Sequence, residues 1–136
     1  MTRYMFDSGI VGDYVYRRHG VYQRARREAH AGRRLGTGAP VLGEFLAGVL
    51  ASDTRERNLP IVRRNRAQLT VWPFGEEAAS IYGELWAALR AVGRPMQVPD
   101  IQIAAIALSL GDCIVVSKDG DLNSVPGLTV EDWSQP

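Results

Sequence analysis

Short apolar runs alternate along the chain with longer stretches of helical spacing. "RYMFD" (3–7) predicts a short strand closed by an acid. "SGIVGDYVYRRH" (8–19) sets Ile10, Val11, Tyr14 and Val15 at helical spacing before Gly20 stops it. A second helix is expected over about 21–31, and "RLGTG" (34–38) reads as a weak strand. Pro40 opens a helix through "PVLGEFLAGVLAS"; Asn58 and Pro60 mark the start of another, reaching about Leu69. "LTVWPF" is a strand, and "GEEAASIYGELWAALRAVG" (75–93) is the longest helix, with Ala79, Tyr82, Leu85, Trp86 and Leu89 on one face. Pro99 and Asp100 begin an oily helix to Leu110, "CIVVS" is a strand, and "LTVED" is a final short one.

Strands that alternate with helices and are apolar on both sides predict an α/β fold, a parallel sheet with helices on both faces. In such sheets the ligand site lies at the carboxyl ends of the strands. Four acids fall there: Asp7 ends the first strand, Asp119 and Asp121 follow the strand 113–117, and Asp100 opens the helix leading into that strand.

Length and composition narrow the class. At 136 residues and 46% hydrophobic the chain suffices for one domain with its own core, residues 1–136, and no apolar run approaches a membrane span. The opening "MTRYMFDSG" is neither a signal peptide nor an anchor, so a cytoplasmic address is expected. Cys113 has no second thiol to pair with and is read as core. Net charge is +1, but residues 1–70 hold 13 arginines against 6 acids, while residues 71–136 hold 3 basic and 9 acidic residues. The clusters Arg24–Arg34 and Arg55–Arg66 fit either a solvated helix face or a phosphate-contacting surface.

Each acid also has a purely structural explanation. Asp100 can cap its helix and favour the dipole, and Asp119 and Asp121 bracket Gly120 in an Asp-Gly turn. Asp7 can cap the helix that starts near Ser8. Glu44 stands in a helix apolar or small all round, beside Val41, Ala47, Gly48 and Ala51, which predicts a buried carboxylate that is paired with an arginine, protonated or bound to a metal. His19 and His30 fall on surface helical stretches and are read as incidental. One shared site explains the acids together, and oxygen ligands without histidine or cysteine select Mg2+ or Mn2+. A hard cation among acids, flanked by arginines, suits phosphodiester hydrolysis.

The chain resembles the PIN-domain ribonucleases, and among them the VapC-type toxins of bacterial toxin–antitoxin pairs. The resemblance rests on "MFDSG", "VLGEFLAGV", "GRPMQVPDIQIAAIALSLG" and "IVVSKDGDLNSVPGLTVEDW" in that order. It implies a PIN-like three-layer α/β fold, a central parallel sheet of four to five strands flanked by helices. It further implies that Asp7, Glu44 and Asp100 hold Mg2+ (or Mn2+), with Asp119 the fourth acid and Asp121 its competitor. RNA as substrate, a cognate antitoxin, a homodimer and no membrane association follow from the same resemblance. One position departs: the opening motif commonly reads aspartate, hydroxyl residue, polar residue, and Gly9 leaves the third place without a side chain. That departure supports a second reading, a PIN-like module that binds RNA or protein without cutting. A phosphoacceptor signalling domain fits the size and Lys118, but the third strand ends "TVWPF" without the aspartate it needs.

Overall fold

The computed structural model describes residues 2–134. Five strands, β1 (Arg3–Phe6), β2 (Arg34–Gly38), β3 (Thr70–Trp72), β4 (Cys113–Val116) and β5 (Thr129–Glu131), form one sheet in the order β3-β2-β1-β4-β5, with every pair parallel. Six helices flank it: α1 (Ser8–Val15), α2 (Val21–His30), α3 (Ala39–Leu50), α4 (Arg55–Arg66), α5 (Glu76–Ala91) and α6 (Val98–Leu110). A 3-10 turn spans Gly120–Ser124. None of the described helices is long and apolar enough to cross a membrane.

Burial explains the sequence pattern. β1 is central, and Met5 and Phe6 are fully enclosed, as are Val115 and Val116 on β4. Trp133 packs on Tyr4 and Phe6, with ring centroids 4.9 and 5.5 Å apart. α6 is oily all round because α5 and α3 contact it as well as β4. Cys113 is buried core as expected, and burial pushes its thiol up to about 12. "RLGTG" is a weak strand by composition for a steric reason: a Cβ at Gly36 would collide with the Thr70 carbonyl of β3, its register partner.

Three details depart from the sequence pattern. α4 starts at Arg55, so Pro60 lies inside it and not at its start. On α5 the buried residues are Ala78 and Leu89; Ala79 is exposed and Trp86 is 43% exposed, so the core-facing stripe is rotated from the expected one. α1 ends at Val15, and the turn after it holds Arg17 and His19 at φ values of 58 and 57°, a left-handed conformation that is costly for side chains other than glycine.

Asp13, on α1, is the buried acid of the fold. Its side chain is 4% exposed, and Lys118 Nζ, His19 Nδ1 and Arg18 Nε lie 2.9, 3.1 and 3.3 Å from its oxygens. Burial alone would raise its pKa, but Lys118 and His19 outweigh that and hold it below the ordinary carboxylate range. A depressed carboxyl stabilises the fold above its unfolded pKa, and the contribution is lost as pH falls through the ordinary range toward the folded value. Asp13→Ala is expected to cost about 2 kcal/mol at pH 7, the scale of hydrogen bonds to charged groups. Chemical denaturation should show that loss shrinking as the pH is lowered below about 4.

Candidate functional site

A parallel sheet sends all its strands' carboxyl ends to one edge. Here the order reverses at β1, since the chain builds β2 and β3 on one side and then crosses to β4 and β5. Asp7 leaves the sheet at that point. Its Oδ1 accepts the Ile10 backbone N–H at 2.9 Å, which caps α1, and its Oδ2 accepts the Ser117 hydroxyl at 2.5 Å. The capping explanation therefore holds but uses one oxygen only. Burial pushes the Asp7 carboxyl above the ordinary range, against the hydrogen bonds from Ser117 and Ile10.

Asp100 stands in the first turn of α6, yet the capping position belongs to Gln97, whose side chain makes no capping bond. Its favourable place in the helix dipole remains; the capping role does not. Burial, then the neighbouring charge of Asp119, with Asp7 and Asp121 adding to it, push its pKa up to about 6. Asp119 is half-buried: its N–H donates to the Ser117 hydroxyl oxygen at 2.9 Å, and its Oδ1 accepts the Asp121 N–H at 2.9 Å, closing the turn. Asp121 is exposed. Asp7, Asp100, Asp119 and Asp121 thus lie within one another's electrostatic reach.

Glu44 requires a correction, because it is exposed. α3 buries only Val41 and Val49, and the face carrying Glu44 and Gly48 borders an open groove with Ser8, Gly9, Tyr16 and Phe45. Small residues on that face leave room for the groove; they do not mark core. Among the described residues Glu44 makes no ion pair, so an arginine partner is not what holds it. Nor do three or more His, Cys, Asp or Glu side chains, among the described residues, already stand close enough to hold a metal ion. Like charges without a cation do not close on each other, and that repulsion adds to burial in raising Asp100.

Sequence reasoning did not find Ser117, which orients Asp7; its signal was a hydroxyl residue immediately after a buried strand. His19 is not incidental either, since its ring meets Asp13. Gly9 is exposed, and a Cβ there would lie 3.7 Å from Asp7 Oδ1, ordinary contact, so its missing side chain leaves space beside the acid.

The PIN-domain family model matches residues 4–128. The chain belongs to the PIN-domain family. It is 34% identical over 93 residues, 68% of this chain and 70% of the relative, to the tRNA(fMet)-specific endonuclease VapC of Shigella flexneri. In fold it matches VapBC2 from Rickettsia felis bound to a DNA fragment from their promoter, with a TM-score of 0.89 at 22% identity, covering 97% of this chain and 99% of that one. VapBC-5 of Mycobacterium tuberculosis, a member of the VapBC family of toxin-antitoxin systems, matches at 30% identity and a TM-score of 0.60, over 74% of this PIN-domain chain and 81% of that one.

A carboxyl raised in the fold favours its protonated form, so the stability it contributes is full below the unfolded pKa and is lost as pH rises through about 6. Asp100→Asn should therefore stabilise the protein in chelator at pH 8 by about 1 kcal/mol after solvent screening, roughly 3 °C in Tm. The gain should disappear by about pH 4. Calorimetric scans at the two pH values check this, and equal Tm values at pH 8 would mean that neither burial nor the neighbouring carboxylates penalise the charged Asp100.

Proposed function

We propose that this PIN-domain chain, working as one domain, is a Mg2+-dependent endoribonuclease and the toxin of a type II toxin–antitoxin pair. The observation that carries the reading is the gathering of Asp7, Asp100, Asp119 and Asp121 at the carboxyl end of the sheet, where the strand order reverses. The crowding fits a hard cation: oxygen donors alone, in mutual repulsion, are the donor set that Mg2+ or Mn2+ neutralises. Asp7, Asp100 and Asp119 would hold the ion, with Glu44 contributing from the groove side. Asp119 is favoured over Asp121 as the fourth acid because it is half-buried and acts first among the charges on Asp100. A bound divalent ion supplies Lewis acidity, easing attack by water and offsetting the charge that builds on the phosphate.

The chain's own residues do the rest. Ser117 fixes Asp7 by one oxygen and the Ile10 amide fixes it by the other, so its orientation is set before any ion arrives. Arg55, Arg57, Arg63 and Arg64 on α4 are exposed and make no ion pair among the described residues, which leaves them for a polyanion. The Glu44 groove, with Tyr16, Phe45 and Val49, suits an apolar segment of a cognate antitoxin laid beside the acids. Trp86, Val92 and Val98, exposed at 43, 69 and 49%, offer apolar surface for a second copy.

Incubation of the purified chain with total RNA and Mg2+ should yield fragments with 5′-phosphate ends, and calorimetry should show saturable Mn2+ binding. Asp7→Asn and Asp100→Asn are expected to reduce cleavage by at least about 100-fold, the upper end of what outer-sphere losses cost, while remaining folded. RNA retarded on a gel but never shortened would favour the second reading, the non-cutting module that Gly9 suggested. Ser117 offsets that suggestion by supplying support to Asp7 from another strand. In sedimentation, Trp86→Glu is expected to convert a dimer to monomers; an unchanged mass would remove Trp86 from the contact.

A further inference from the structure

Lys118 links two regions that the nuclease reading does not itself connect. It stands between Ser117, which donates to Asp7, and Asp119, whose N–H returns to the Ser117 oxygen. Its ammonium lies 2.9 Å from Asp13 Oδ2, on a carboxylate that is 4% exposed, while the lysine side chain itself is 43% exposed. Asp13 belongs to α1, the helix capped by Asp7. The other two basic side chains on Asp13, Arg18 and His19, come from the turn after α1, and the Arg18 backbone N–H also donates to the Asp13 carbonyl at 2.8 Å. Two of the three contacts therefore hold that turn, including His19 in its left-handed conformation. Lys118 is the one contact that reaches across to the acidic loop.

We propose that Asp13 is a positioning residue for the reaction: through Lys118 it fixes the loop 117–121 to α1, so that Ser117 and Asp119 stand in register with Asp7 and Asp100. The proposal rests on the nuclease reading for its consequence and on the contact itself for its mechanism. The loop needs such a tether. Its internal bonds run from Asp119 to Ser117 and from Asp121 to Asp119, and beyond them it is held by the Ser117 backbone N–H on the Glu131 carbonyl at 3.0 Å and by the Ser117 hydroxyl on Asp7. Asp119 is repelled by both Asp7 and Asp100, and Asp121 by Asp100. A cation drawn to a buried acid on α1 opposes that repulsion without placing a positive charge between the acids themselves. Held at Asp13, the ammonium makes no ion pair with the clustered acids among the described residues, and its charge reaches Asp7 only at a distance, favouring the ionised form.

Lys118→Met tests this, since Arg18 still pairs with Asp13, His19 still contacts it, and the fold is expected to survive. In the metal-free full chain, amide exchange at Asp119 and Asp121 should quicken by about tenfold, with β1 and β4 unchanged; Lys118→Arg should restore protection. Arg18→Met, which takes an equal charge from Asp13 but leaves the loop alone, should leave those two amides as in the wild type. With metal and RNA, Lys118→Met should raise the Mn2+ midpoint by about tenfold and lower kcat at unchanged KM for RNA. Unchanged exchange at Asp119 and Asp121 in Lys118→Met, or an equal rise in Arg18→Met, overturns the proposal. So does a variant altered in KM alone, which makes Lys118 a phosphate contact. A wild type that neither binds Mn2+ nor cuts RNA refutes the nuclease reading instead, and the exchange measurement still decides the tether.

Discussion

The structure depends on one hydrogen-bonded acid placed where a fully buried strand ends. Phe6 has no exposed surface, and the next residue, Asp7, is gripped by the Ile10 amide on one oxygen and the Ser117 hydroxyl on the other. Those partners come from α1 and from the end of β4, so the carboxylate joins the central strand to the elements on both sides of it. Thr37 of β2 completes the arrangement by donating its hydroxyl to the Phe6 carbonyl at 2.6 Å. Parallel strands make this possible, because all of them deliver their carboxyl ends to one edge, and the reversal of strand order at β1 opens a gap there.

Much of this was readable from spacing alone. Apolar runs of four or five residues between helical patterns gave the parallel sheet, and the rule that ligands sit at its carboxyl edge pointed to Asp7, Asp100, Asp119 and Asp121 together. Glu44 shows where the method stops. A helix face of glycine, alanine and valine has the same composition whether it faces core or an open groove, so the buried carboxylate expected at Glu44 is in fact exposed. Asp13 is the opposite case, a buried acid that the sequence pattern did not single out. It lies among Ile10, Val11, Tyr14 and Val15 on a helix of 8 residues, too short for periodicity to assign a face. Its burial follows from tertiary packing, and its partners are 5, 6 and 105 residues away in the chain, the last of them unpredictable from local pattern.

The arginine excess of the first half likewise resolves only in three dimensions. Arg24 is spent on Glu28 and Glu131 and lies over Trp133; Arg33 also meets Glu28; Arg17 and Arg26 stack on Tyr22. On α2 the cations thus serve largely to fasten the helix to its own surroundings. On α4, Arg55, Arg57, Arg63 and Arg64 are exposed without acidic partners among the described residues, so the two clusters that look alike in sequence are chemically different surfaces. The choice between a solvated face and a phosphate-contacting face therefore arises separately for each helix, and the paired cations of α2 fit the first.

Crowded carboxylates weaken a fold at neutral pH, and the distribution of supports shows how this chain tolerates them. Neutralising the cluster with an internal cation would relieve the repulsion but would also occupy the place of any external one. The chain instead uses dipoles at the acids themselves, the Ile10 amide, the Ser117 hydroxyl and the amino end of α6, which stabilise negative charge without cancelling it. Its nearby ammonium is committed to Asp13, one helix turn and a half along α1 from Asp7 by sequence. Gly9 fits the same logic. A polar side chain there would offer Asp7 a further donor, but both of its oxygens already have one, and the space left open beside Oδ1 stays available to the groove. Orientation is thus supplied by Ser117, the residue that follows β4, and not by a side chain at position 9 on α1.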